Sequence, residues 1–413
     1  VINVLDSACD ECPIDRFVVS DSCRGCLGHK CQENCPRHAI SIVNHRAYIN
    51  QEMCIECGRC KQVCPFGAIS EVMRPCMRAC SVNAVKMDEN RKAMIDHDKC
   101  ISCGACVQQC PFGAIVDKSF VMNVLNLLRD SWNNTSYHVY AVVAPAVASQ
   151  YTGIKVGQVF AGIKELGFYD VVEAAIAGDM VSVEEAKEFV ETIEEKKWKT
   201  TSCCPAFVEY VRKNHPEYMD HVSTVVSPMI AMARAIRAKD RKARIVFIGP
   251  CAAKKLEANR KSVRSDVDFV LTFEELLGMF DAKEIDFKTL EADPADGMDE
   301  GSGFGRGFAV GGGVAAAVVE AIKHIDPDRE ILIEYGDGLK ECRKMLAMAK
   351  AGKRNGYLLE GMGCPGGCVA GAGTLRPVKE STASVERFKN AASSMSTTES
   401  PYLGRLKDVE EKC

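Results

Sequence analysis

Sixteen of the 23 cysteines in this 413-residue chain fall within its first 110 residues, in short C-x-x-C runs. No other feature narrows the fold as much. A secreted disulfide scaffold spreads its cysteines through one small domain. Here only seven more follow residue 110. The opening VINVLDSACDECPID has neither the basic start nor the apolar stretch of a signal peptide. A first residue of Val leaves a preceding segment open. Thiolates that bind metal explain the pattern better than disulfides do. With 52 Lys and Arg against 56 Asp and Glu, the formal charge is −4. Nucleic-acid binders usually carry a basic excess, so no such partner is expected. No apolar run reaches the roughly 18–20 residues that span a bilayer, so no membrane segment is expected and a cytoplasmic location is.

Two runs, Cys54-x2-Cys57-x2-Cys60-x3-Cys64-Pro65 and Cys100-x2-Cys103-x2-Cys106-x3-Cys110-Pro111, fit the bacterial ferredoxin pattern. In it, three cysteines of a run bind one 4Fe–4S cube and the fourth serves its neighbour. A third run, Cys23-x2-Cys26-x4-Cys31-x3-Cys35-Pro36, expands the same pattern, and Cys9-x2-Cys12 with Cys76-x3-Cys80 form a split set. The intervals from Cys35 to Cys54 and from Cys80 to Cys100 suit a hairpin between paired halves. Up to four clusters are therefore expected. Cys23, Cys26, Cys31 and Cys64 would hold one, and Cys35, Cys54, Cys57 and Cys60 a second. Cys80, Cys100, Cys103 and Cys106 would hold the third, and Cys9, Cys12, Cys76 and Cys110 the fourth. Zinc is the metal alternative at Cys9 and Cys12. Metal binding would add folding energy to a thin apolar core. Four cubes would add about −8 to the charge.

Beyond residue 118 the texture changes. Residues 118–132 read as an amphipathic helix and 138–147 as a buried strand. Strand-like runs at 171–177, 243–249, 269–273, 330–335 and 356–362 alternate with helical stretches at 183–195, 228–238, 312–324 and 338–350. The expected fold is an α/β catalytic body with parallel sheets in two lobes, preceded by ferredoxin-like α+β iron–sulfur domains. The expected boundaries are 1–118 for the cluster region, 119–380 for the body and 381–413 for a polar tail that wraps the surface before a short helix.

Five of the later cysteines sit in three motifs, TSCCPAF (201–207), GPCAAKK (249–255) and EGMGCPGGCVAGAG (360–373). Each follows a strand-like segment, and open parallel sheets place their chemistry at the carboxyl ends of strands. Thiolates from three loops could meet there, and Lys254 and Lys255 could offset an anionic cofactor.

These three ordered motifs resemble the signatures of the iron-iron (FeFe) hydrogenases, and the resemblance covers nearly the whole chain. It implies a catalytic H-cluster, a 4Fe–4S cube joined through a thiolate to a two-iron subsite that carries CO, cyanide and a dithiolate bridge. The implied cube ligands are Cys204, Cys251, Cys364 and Cys368, with Cys368 bridging. Cys203 would be the free thiol that relays protons, Lys254 would bind a cyanide and Met362 would pack beside the subsite. DMVSVEEAKEF (179–189) resembles the family's proton path and places relay carboxylates at Glu185 and Glu188, with Ser227 as the matching hydroxyl. The implied reaction is the reversible conversion of H2 to two protons and two electrons. A ferredoxin-type carrier and maturation proteins for the two-iron subsite are the implied partners. Gly249, Ala146 and the pair Ala206–Phe207 depart from the family's usual Met, Ser and Gly-Trp, which suggests a divergent, group B-like branch. A hydrogen sensor of the same fold, a non-enzymatic iron–sulfur assembly factor and a plain polyferredoxin are the rivals. The sensory and assembly relatives tend to lack Cys203 or an intact TSCCP.

Overall fold

The structure is a computed structural model that describes residues 1–9, 12, 16–90, 92–292, 300–400 and 403. The chain forms two compact units. One comprises Val4–Asp98 and Cys106–Val116; the other comprises Val1–Asn3, Lys99–Ala105 and Asp117–Cys413.

The smaller unit is made of very short elements. Antiparallel pairs join Ile40–Val43 to Arg46–Ile49 and Val85–Met87 to Ala93–Ile95. They fill the two intervals in which hairpins were expected. Strand Phe17–Val19 pairs antiparallel with Ile69–Glu71. Helices Lys30–Glu33, Arg59–Val63, Pro75–Ala79 and Ala105–Gln109 each begin inside or beside a cysteine run. The core of the first half is a handful of side chains, Phe17, Ile40, Ala47, Ile49 and Ile69, packed against the cysteines themselves. So small an apolar core is marginal alone, and metal ligation would complete it.

The larger unit holds the two expected lobes. A four-stranded parallel sheet has the order Asp170–Glu173, Val139–Val143, Arg244–Gly249, Phe269–Thr272. A three-stranded parallel sheet has the order Trp198–Thr200, Tyr357–Met362, Leu332–Asp337. Helices cover them, among them Val121–Asp130, Pro228–Lys239, Gly313–Ile325 and Leu339–Lys350, close to the stretches read from periodicity. One reading is corrected. Residues 171–177 are not one strand, because the strand ends at Glu173 and a helix runs from Ala174 to Lys196. Its first turns are buried all round, which hid the helical period.

Two boundaries also move. Lys99–Ala105 belongs with the body. There Lys213 Nζ donates to the Cys100 carbonyl at 2.8 Å, and a Cβ on Gly104 would lie 2.3 Å from the Ala372 Cβ. The tail expected from residue 381 starts inside helix Val378–Asn390, whose Ser381 and Val385 are buried. Arg306 stacks over Phe388 of that helix at 3.9 Å while it grips Glu173 through two buried hydrogen bonds of 2.6 and 2.9 Å. Beyond the helix, Ser396 and Thr397 hydrogen-bond Glu320. The short helix expected after 403 lies outside the described residues.

Buried carboxyls give the body a pH dependence. Burial pushes Asp179 up to about 7, against hydrogen bonds from Ser302. A folded-state value above the unfolded one stabilises at low pH and is lost as pH rises through 7. The melting temperature of the cluster-loaded protein should therefore fall as pH rises toward 7 and level off above it, and Asp179→Asn should shrink that fall.

Candidate active site

Strand ends position the three motifs. Cys204 follows strand Trp198–Thr200 and is the N-cap of helix Pro205–Asn214. Cys251 follows Arg244–Gly249 and is the N-cap of Ala252–Ala258. Cys364 and Cys368 follow Tyr357–Met362. Gly366 and Gly367, at φ 93° and 88°, turn the chain between them, a conformation open to glycine. A Cβ on Gly367 would meet the Gly311 nitrogen at 2.6 Å.

All four thiols line one cavity. Burial pushes each thiol up, and for Cys364 the next causes are Cys251, Cys204, Cys103 and Cys368. Cys251 rises to about 12. Neutral thiols are favoured there until a metal takes the protons' place. The remaining lining is mostly apolar and includes Ala146, Phe247, Phe308 and Met362. Among the described residues, no three His, Cys, Asp or Glu close on a point as a single metal ion requires. Four sulfurs spread around a cavity fit a cube better than a zinc ion. Cys103 lines the same cavity.

Lys254 also lines it. Burial opposes its charge, but Glu257, at 2.7 Å, and the thiols of Cys251 and Cys203 hold its pKa up. Its Nζ lies 3.4 Å from the Cys203 carbonyl. Lys255 does not share this role. It is fully buried between Asp117 and Glu275, at 2.7 and 2.8 Å, and clamps the body instead.

Cys203 lines the cavity, and burial, then Glu185 and Glu360, keep its thiol protonated. Burial pushes Glu185 up to about 7, against hydrogen bonds from Ser202. Oε1 accepts from the Ser202 amide at 2.9 Å and its hydroxyl at 3.1 Å, while Oε2 has no hydrogen-bond partner. Glu188 differs. Its pKa is lowered: burial works the other way, but Lys199 at 2.7 Å, Ser223 at 2.6 Å and the Thr224 amide and hydroxyl overcome it. The Ser223 hydroxyl donates its hydrogen bond to Glu188. Ser227 does not. Its Oγ is buried without a hydrogen-bond partner, and the residue is the N-cap of helix Pro228–Lys239. Among the described residues, the hydroxyls that do touch these carboxylates are Ser202 on Glu185 and Ser223 with Thr224 on Glu188. Sequence reasoning missed all three, and Lys199, because lone polar residues flanking a motif carry no periodic signal.

The departures at 249 and 207 have physical counterparts. A Cβ on Gly249 would meet the Phe247 ring at 2.7 Å and the Ala144 Cβ at 3.1 Å. Phe247 thus occupies the space a larger residue at 249 would need. Phe207 is fully buried, and a Cβ on Gly361 would meet its ring at 2.4 Å. Gly361→Ala should destabilise the body by about 1–3 kcal/mol, read as a lower denaturation midpoint.

In the smaller unit, Cys23, Cys26, Cys31 and Cys64 line one small cavity, and Cys35, Cys54, Cys57 and Cys60 line another. Burial pushes Cys12 up and Arg74 opposes it, with Cys110 and Cys9 as further neighbours; Cys76 is raised by burial, then Cys12, Cys110 and Cys9. These are the first, second and fourth expected sets. The third set is divided between the units, with Cys100 and Cys103 in one and Cys80 and Cys106 in the other.

The fold and site define an iron–sulfur α/β body with a deep thiol-lined cavity, joined to ferredoxin-like cluster domains. The profile of the iron-only hydrogenase large subunit, C-terminal domain, matches residues 137–372, and that of the 4Fe-4S binding domain matches 47–70 and 93–116. The chain belongs to the iron-only hydrogenase large-subunit family. It is 31% identical to the periplasmic [Fe] hydrogenase large subunit of Nitratidesulfovibrio vulgaris over 80% of this chain and 86% of that one. It is 29% identical to iron hydrogenase 1 of Clostridium pasteurianum over 62% of this chain but 53% of that one. The cytosolic iron-sulfur assembly component 3 of Mus musculus is also similar, 24% identical over 58% of this chain and 61% of that one. A solved hydrogenase structure, HydA1 from Chlamydomonas reinhardtii, superposes with a TM-score of 0.58 at 22% identity, over 70% of this chain and 94% of that one. No helix among the described residues is long and apolar enough to cross a membrane.

Proposed function

We propose that this chain converts H2 reversibly to two protons and two electrons. The observation that carries the reading is the meeting of Cys204, Cys251, Cys364 and Cys368 around one cavity, with a buried thiol and a carboxyl near neutrality beside it. Those four cysteines would hold the cube of an H-cluster, Cys368 as the bridging sulfur, with Lys254 and Met362 beside its two-iron subsite. When bound, that group supplies the open iron at which H2 splits.

The residues supply the rest. Cys203 holds a proton at Sγ, because burial disfavours its thiolate. Glu185 can take or give a proton at neutral pH, since a relay group works best with a pKa near ambient. The next carboxylate, Glu188, holds the Ser223 hydroxyl and is fixed as a carboxylate by Lys199, and it would pass the proton onward. The apolar lining excludes water from the reacting face. Electrons would travel through the accessory clusters, with the loop carrying Cys103 nearest the cavity. A ferredoxin-type carrier would exchange them, maturation proteins would insert the two-iron subsite, and the site of action would be the cytoplasm. The departures around the cavity support a divergent, group B-like branch.

Infrared spectroscopy of anaerobically matured protein, together with H2-dependent dye reduction, tests this. Terminal CO and cyanide bands with turnover are expected. Intact 4Fe–4S clusters with neither bands nor turnover would overturn the reading and leave the assembly-factor relatives as the better guide. Bands without turnover would point to the sensor.

A further inference from the structure

Arg74 sits just before helix Pro75–Ala79 in the smaller unit, and it is 7% exposed. Its Nη1 lies 3.9 Å from the Cys9 sulfur. Among the described residues no carboxylate pairs with it. Burying a guanidinium costs several kcal/mol unless an anion answers it, and a neutral thiol at that distance is a weak answer. Cys9 also accepts the Ala93 amide at 3.3 Å. Other cysteine sulfurs of this unit are met by backbone amides, among them Ala47 on Cys23, Ala39 on Cys35, Ala68 on Cys64 and, at this site, Ala114 on Cys110. Here a buried cation joins the amide. The arrangement wants a negative body at the centre of the four cysteines. A 4Fe–4S cube with four thiolates carries a net charge of about −2 when oxidised and −3 when reduced by one electron.

We infer that Arg74 is a fixed counter-charge at the Cys9, Cys12, Cys76 and Cys110 site and raises the reduction potential of the cluster held there. A positive charge close to the cube stabilises the reduced form more than the oxidised one, since the attraction grows with the negative charge it faces. The inference rests on the assignment of those four cysteines to one cluster. Its consequence is functional. The proposed reaction moves two electrons, whereas each cube takes one. A cluster biased toward reduction can hold the first electron while the second arrives.

The test uses the full chain with its 4Fe–4S clusters reconstituted and no two-iron subsite, so it does not depend on H2 turnover. Cys76→Ala first identifies the cluster: it should remove about four iron atoms per chain and one component of the reduced electron paramagnetic resonance spectrum. Unchanged iron in that variant would overturn the ligand assignment itself, whatever the fate of the hydrogenase reading. Arg74→Gln and Arg74→Lys are then compared, because both are polar and only one keeps the charge. At a fixed solution potential, Arg74→Gln should lower the reduced-to-oxidised ratio of that component by about tenfold, and Arg74→Lys should stay near the parent. Identical titrations in all three proteins would overturn the inference. If Arg74→Gln loses the cluster and Arg74→Lys keeps it, the charge holds the cluster, and the inference stands when Arg74→Lys titrates with the parent and fails when it does not. If both lose it, Arg74 acts by packing and the inference fails.

Discussion

Cys203→Ser should leave the iron content of the matured protein near normal and cut H2 turnover about a hundredfold or more, in both directions. The residue lines the cavity without belonging to the four that would hold the cube. Its loss therefore removes no ligand. Serine is smaller than cysteine by little, so the apolar lining closes around it with minor cost. What changes is the proton. A hydroxyl parts with its proton far less readily than a thiol, even one that burial, Glu185 and Glu360 hold in the neutral form. On the proposed proton route, which passes from Cys203 to Glu185, it would break the relay at the first step. General acid–base groups commonly contribute about 10²–10⁴ in rate, which sets the expected loss. The measurement is dye-coupled H2 uptake and evolution beside iron analysis and infrared spectra. Turnover within a fewfold of the parent would remove Cys203 from the proton route. Infrared bands lost along with the activity would instead make it a structural residue.

Much of this site was legible in the sequence, for a physical reason. Thiolate ligands in short loops need fixed spacings, and the Gly-rich turn around Cys364 and Cys368 is written out in consecutive residues. The hairpins at 40–49 and 85–95 followed from the intervals between runs. The two parallel sheets followed from alternation of element types. Where the reading slipped, the information lay in contacts between distant residues. Ser227 and Ser223 are both small, polar and close to the same proline in sequence, and only tertiary packing sets Ser223 against Glu188. Lys254 and Lys255 are neighbours, yet one lines the cavity and the other is locked against Asp117 and Glu275. The helix from Ala174 reads as strand because burial on every side erases its period. Arg74 gave no sign at all, since a single arginine between cysteine runs is more often a surface charge.

Cys204→Ala should remove the cube of the body, about four iron atoms per chain, and with it any seat for a two-iron subsite. Two local effects act together. The sulfur that would bind iron is gone, and the Gly363 amide, which lies 3.3 Å from it, loses its acceptor. Helix Pro205–Asn214 keeps its first turn, because Pro205 at its start needs no amide partner and the Cys204 side chain makes no capping bond. The accessory clusters have their own ligands and should survive, so the electron paramagnetic resonance spectrum of the reduced protein should retain them. Cys342→Ala is the matching control. That thiol is fully buried, with its sulfur 3.4 Å from the Gly336 carbonyl and 3.3 Å from that of Met362, and it takes no part in the cavity lining. Its loss should cost stability of about 1–2 kcal/mol through lost packing and leave the iron unchanged. The contrast separates ligation from packing. If Cys204→Ala keeps its full iron complement, or if Cys342→Ala loses the same four irons, the four-cysteine seat proposed for the cube is wrong.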